Sequence, residues 1–286
     1  MSDYMLTSRA LHNVSVGVSV SESSDLARLG LIESHFRLAL GEIARAVLVL
    51  GGGLVYGGHL ASEGYTAFFA SELRRYGRRD RPLVICLPWL VHRRESLSRL
   101  RMWQHDLGLY GQIIYLDPVG DPTDPAEGRG EDPSPEADGN VIVSSLTGLR
   151  TYMGSITNGR VVIGGKGHGY LGRMPGVLEE AIIAIETRQP LYLAGGFGGV
   201  TLRMIQVLTP AAATWLPETD THSAEDHGCT SGFARLAEIA GRNGTPENGL
   251  DEHENWQLAA THRPSEIAAL VSLGLGRLAE RGNFRG

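Results

Sequence analysis

RVVIGG (Arg160–Gly165) runs directly into KGHGYLGRMPGVLEEAI (Lys166–Ile182). An apolar β-branched run, a glycine-rich turn and a helix-periodic segment make a strand–turn–helix unit. Such a unit can hold a phosphate, because the first amides of the helix point at whatever lies beyond the strand end. Pro175 suits the first turn of the helix. Projected at about 100° per residue, Leu178, Ala181, Ile182 and Ile185 form one buried stripe, with Glu179 at its border and Glu180 pointing away. Acidic residues in a first helical turn are also favoured by the helix dipole alone.

Outward from this unit, apolar runs alternate with helical segments. Strands are expected at Asn13–Val20, Leu54–Gly58, Arg81–Trp89, Gln112–Asp117, Arg160–Gly165 and Pro190–Gly196. They lack polar alternation, which indicates strands buried on both faces of a parallel sheet. The expected fold is α/β: a Rossmann-like, open, mostly parallel sheet with helices on both faces and a helical C-terminal extension. Strand order does not follow from sequence. Residues 1–208 form the Rossmann-like domain, and 209–286 supply a loop and C-terminal helices packing on it. Asp117–Gly139, rich in Pro, Gly and acid, cannot bury area to offset its ordering entropy and is expected to be a flexible loop. Pro210–Gly232 reads as a second loop, followed by helical SGFARLAEIAGR and SEIAALVSLGLGRLAERG.

Composition narrows the function. The hydrophobic share of 42% and charged share of 20% suit a globular protein with a real core. A net charge of −6 argues against a nucleic-acid-coating surface. No segment approaches the about 18 apolar residues of a membrane span, and the N-terminus lacks a signal pattern. Two cysteines make no disulfide framework. A cytoplasmic protein is expected.

Glycine clusters fall just past three strands: Tyr56–Gly58, Gly164–Gly172 and Ala194–Gly199. In open α/β sheets ligands bind there. With the polar end of the first strand, they give a candidate phosphate cradle of Ser19, Ser21, Gly57, Gly58, Gly164, Gly165, Lys166, Arg173, Gly176, Gly195, Gly196 and Gly199. Backbone amides with Lys166 or Arg173 would hold phosphates, and a glutamate the ribose hydroxyls. No cluster fits GxxxxGK[ST] or the GxGxxG of dehydrogenases. His222, Asp226, His227 and Cys229 lie close together, but their spacing is no standard zinc pattern, so no metal site is expected. No required cofactor is expected either.

VSVSESSDLARLG, LVYGGHL, RVVIGGKGHGYLGRMPGVLEEAI and PLYLAGGFGG together resemble the SLOG superfamily, over roughly Asn13 to Val207. The likeness is closest to the prokaryotic branch related to the N-terminal region of melastatin-type TRP channels. It implies a nucleotide-derived ligand, such as ADP-ribose or a cyclic isomer, and a sensor in an antiviral or stress system. It also implies a separate TIR-type or other effector protein, and a homo-oligomer. The LONELY GUY phosphoribohydrolases are similar in the same loop. Their signature PGGxGTxxE, with an upstream arginine and the final glutamate, cleaves a nucleotide N-glycosidic bond. Aligned on that glutamate, Gly176 and Glu180 match. Gly172-Arg173-Met174 replace the PGG, and Val177 replaces the threonine. The alternative implied is an N-glycosidase using Arg173, Glu179 and Glu180.

Overall fold

The computed structural model describes residues 9–59, 63–76, 80–133, 139–211 and 227–284. In chain order the elements are β1 (Ser15–Ser21), α1 (Glu33–Val49), β2 (Gly53–Gly57), α2 (Tyr65–Tyr76), β3 (Leu83–Leu87), α3 (Trp89–His92), α4 (Leu97–Leu107), β4 (Gly111–Tyr115), α5 (Gly139–Ser155), β5 (Gly159–Gly164), α6 (Gly176–Glu186) and β6 (Leu191–Ala194). A single 3₁₀ turn at Gly195–Phe197 leads into α7 (Gly199–Leu208), and then come α8 (His227–Asn243), α9 (Glu252–Ala260) and α10 (Pro264–Glu280).

All six expected strands form, and every pairing is parallel, in the order β4-β3-β2-β1-β5-β6. Alternate strand residues serve two cores. Val16, Val18, Leu54, Tyr56, Leu83, Ile85, Val161 and Ile163 meet α1, α2, α4 and α10 on one face. Val162 meets α6, α7 and α8 on the other, while Val55 and Cys86 meet α5 there. Burial on both faces is why the strands read as continuous apolar runs.

The C-terminal helices close the structure. Ile267, Val271 and Leu275 of α10 join the core beside α1. Helix α9, started by an Asp251–Glu254 capping box, packs on β6, and α8 packs on α6 and α7. Helix α8 begins at His227, inside the stretch read from sequence as a loop; residues 212–226 lie outside the described residues.

The acidic segment read as a flexible loop is tied down by polar groups over 117–133, while 134–138 lie outside the described residues. Asp117 Oδ1 accepts from the amides of Val119, Gly120 and Asp121. Arg129 donates to the carbonyls of His92, Arg93 and Glu95, capping the end of α3. Arg93 returns a bond to the Glu127 carbonyl at 2.8 Å. Glu131 accepts from the first amides of α4. Hydrogen bonds here replace the apolar burial that composition could not supply.

Beneath this strap His92 is fully buried between the rings of Trp89 and Tyr115, its Nε2 donating to the Leu116 carbonyl at 2.9 Å. Burial pushes the imidazole down to about 4, helped by the charges of Arg93 and Arg129 and opposed by the Leu116 bond. The folded ring is therefore neutral where an unfolded one takes a proton, near pH 6.5. Stability from this group is complete above pH about 6.5 and is lost as pH falls towards 4. Urea unfolding should show the protein losing about 2 kcal/mol more between pH 7 and pH 5 than His92→Gln does. Equal losses would place the acid sensitivity elsewhere.

Candidate functional site

Strand β1 is where the winding reverses. From β1 the chain steps outward through β2, β3 and β4; α5 then carries it back to β5 on the other side of β1. The chain after β1 leads to α1 on one face of the sheet and the chain after β5 to α6 on the other, the topology that in such sheets places the ligand crevice beyond the strand ends. Ser21 and Gly164 are paired at that end.

The floor of the crevice is made of loops bonded to one another. Gly164 and Gly165 turn sharply with φ of +70° and +109°. A side chain at Gly164 would strike the Ser21 carbonyl and the Phe36 ring; one at Gly165 would strike Val177 and Val200. The Gly165 amide donates to Ser21 O at 3.0 Å, and Gly165 O accepts from the Val200 amide at 3.1 Å. The Thr201 hydroxyl donates to Gly164 O at 2.7 Å. Asp25, 3% exposed, accepts from the Gly199 amide at 2.7 Å and from Arg28. The turns after β1, β5 and β6 are thus one unit, and Asp25 is its anionic clasp at the start of α7.

Over this floor lies α6, buried on nearly every side between the sheet, α5 and α8. That changes the placement of its glutamates, since both Glu179 and Glu180 lie on packed sides of the helix. Glu179 accepts from the Thr147 hydroxyl at 2.8 Å through Oε1 and pairs with Arg150 through Oε2. Both charged side chains are 9% exposed. Glu180, placed by the helical projection away from the buried stripe, instead lies over β1 and β5. Its Oε2 accepts from Ser19 and from Arg160 Nη1, the latter at 2.6 Å. Each glutamate therefore has its own arginine and its own hydroxyl.

Among the expected cradle residues, the structure gathers Ser19, Ser21, Gly164, Gly165 and Gly199 with Glu180 around the β1–β5 end. Gly176 lies against Arg150, as does Gly172: a methyl on either would come within 2.9 Å of the guanidinium. Gly57 and Gly58 end β2, packed on Met153 and on Tyr56 with Thr66. Gly195 and Gly196 face α9, against the carbonyls of Ala259 and Thr261. Lys166 is exposed and pairs with Glu22 at 2.7 Å. Arg173 is exposed, in a loop that packs on α8 at Gly228, and makes no ion pair with either glutamate. The arginines beside the glutamates are Arg150 and Arg160. Sequence reading missed both, along with Thr147 and Asp25. Gly17, the lone glycine inside β1, was the available signal for Arg160, because a strand glycine marks a close approach.

His222 and Asp226 lie outside the described residues; His227 and Cys229 are in α8, Cys229 buried. Among the described residues no group of three potential metal ligands occurs, and no helix is long and apolar enough to cross a membrane.

These features define a doubly wound, Rossmann-like α/β protein with a glycine turn at its switch point. The family model of SLOG cluster2 matches residues 10–261. The chain belongs to the SLOG superfamily, through this cluster. No curated protein matches it.

Removing one partner of a buried ion pair leaves an uncompensated charge, at a cost of about 3–5 kcal/mol. Arg150→Met should destabilise by about that amount in chemical denaturation, and Arg150→Met with Glu179→Leu by less than half of it. A double variant as unstable as the single would mean that Arg150 contributes through packing rather than charge.

Proposed function

We propose that the chain is a binding protein for a nucleotide-derived ligand, seated at the carboxyl ends of β1 and β5. SLOG membership supports a nucleotide-related function, whether binding or glycosidic cleavage. The observation that carries the binding reading is the coincidence of the switch point, the Gly164–Gly165 turn and a glutamate with one oxygen unengaged. Glu180 Oε1 makes no bond among the described residues, and its side chain is 14% exposed. Phosphates would lie along the glycine turn and draw Lys166 from Glu22, a pair open to solvent on both sides. Glu180 would take a ribose hydroxyl. Following the family likeness, the ligand is NAD-derived, ADP-ribose or a cyclic isomer. The protein would act as a cytoplasmic homo-oligomeric sensor in bacterial antiviral or stress signalling, passing the signal to a separate effector protein.

A specific observation also favours N-glycoside hydrolysis. A glycine pair does end β5, at Gly164–Gly165, and residues 166–175 loop out before Gly176. On this reading the glycine pair of the hydrolases is split from GTxxE by an insertion rather than lost, and Arg150 is the upstream arginine. Val177 still stands where those enzymes have threonine. In this chain Arg150 and Thr147 take both oxygens of Glu179, which leaves Glu180 as the carboxylate able to stabilise an oxocarbenium-like sugar.

Calorimetry with ADP-ribose, its cyclic isomers, NAD and AMP should show binding to at least one, weakened several-fold in Lys166→Ala and at least tenfold in Glu180→Gln. Absence of heat and of any thermal shift across the panel would overturn the binding reading. Free base released from NAD or AMP, and lost in Glu180→Gln, would make the protein a hydrolase.

A further inference from the structure

Arg160, the second residue of β5, is fully buried, which is uncommon for an arginine. Its side chain crosses Gly17 of β1, where a methyl would come within 3.3 Å of the guanidinium carbon. The guanidinium is held at both ends. Nε donates to Gln189 Oε1 at 3.3 Å, and the Gln189 amide is itself fixed by the Thr157 carbonyl and hydroxyl, both at 2.6 Å. Nη1 donates to Ser19 Oγ at 2.9 Å and to Glu180 Oε2 at 2.6 Å. Nη2 is buried with no partner. Among the described residues, then, nothing else takes the positive charge of Arg160; it acts on Glu180.

The consequence lies on the other oxygen. Oε2 is occupied by Ser19 and Arg160, so the carboxylate plane is fixed and Oε1 is presented with no bond of its own. An ionised carboxylate is an acceptor only. We infer that Arg160 is a positioning residue that makes Glu180 a fixed acceptor for a ligand hydroxyl, so that the site selects ribosyl over deoxyribosyl nucleotides. This rests on the nucleotide-binding reading above and adds its selectivity. A site built to accept a hydroxyl rejects the analogue lacking it, because the acceptor loses water and gains nothing.

The experiment compares affinities for AMP, ADP and NAD with those for their 2′-deoxy and 3′-deoxy counterparts by calorimetry on the full chain. The wild-type protein should prefer at least one ribosyl form by about tenfold or more. Arg160→Met should reduce that preference to below about threefold, Glu180→Gln likewise, and adding Arg160→Met to Glu180→Gln should reduce it no further. A merely structural arginine would lower the melting temperature and leave the ratio alone. Should Arg160→Met fail to fold, Gly17→Ala displaces the guanidinium and Ser19→Ala removes one bond to Oε2; both should lower the ratio. Equal binding of hydroxyl and deoxy forms, or a ratio unchanged in Arg160→Met or in both substitutes, overturns the inference while the binding reading stands. Failure of the wild-type protein to bind any nucleotide removes the binding reading and this inference with it.

Discussion

A positive charge locked inside a parallel sheet organises this molecule. Arg160 cannot reach water, so its guanidinium must be met by groups the fold brings to it. Those groups come from three other places: Gly17 and Ser19 on β1, Glu180 on α6, and Gln189 before β6, itself held by Thr157. Each contact fixes a spacing. The missing side chain at position 17 sets how closely the arginine may cross β1, and Glu180 sets how α6 lies over the sheet. The central strand pair, the helix above it and the crevice at their ends are bound together by one electrostatic requirement. Apolar packing alone would let α6 slide on the sheet, because it specifies volume more tightly than position.

The two neighbouring glutamates show what that docking achieves. They are adjacent in sequence and similar in chemistry, yet their surroundings divide them. Glu179 is turned towards α5 and filled on both oxygens, so it belongs to the joint between two helices. Glu180 is turned towards the sheet and filled on one oxygen. A free carboxylate on a solvent-facing helix would swing between rotamers; here the choice is made before any ligand arrives, which lowers the cost of binding one.

The sheet was legible in the sequence and much of the polar interior was not. Runs such as RVVIGG and LVICLP read correctly as strands because burial on both faces forces β-branched, apolar residues into them. Strand order was closed to sequence, since nothing local distinguishes the step from β1 to β2 from the step from β4 across to β5. Of the residues that sequence grouped, the fold brings Ser19, Ser21, Glu180 and the glycine turn after β5 to one end of the sheet, while Glu179 turns to α5. The arginines that pair with the glutamates were not the one sequence pointed to. Arg173 is near Glu179 in sequence and exposed in space, whereas Arg150 arrives from another helix. Arg160 was read only as the first residue of a strand, although Gly17 across the sheet was its mark. Gly195 and Gly196 look like phosphate-binding glycines but are small because α9 lies against them. A glycine that admits a ligand and one that admits a helix leave the same letter in the sequence. The loop over α3 hides its contacts for a related reason: they are carboxylate and guanidinium bonds to backbone, which hydropathy does not register.

Helix α10 bears on where this domain ends. Sequence likeness to the family runs to residue 261, and α10 begins at Pro264. Yet Ile267, Val271 and Leu275 are buried against α1 in the main core. The boundary drawn by ancestry and the boundary drawn by solvation do not coincide. A fragment cut at the former would bare the apolar flank of α1 that α10 covers.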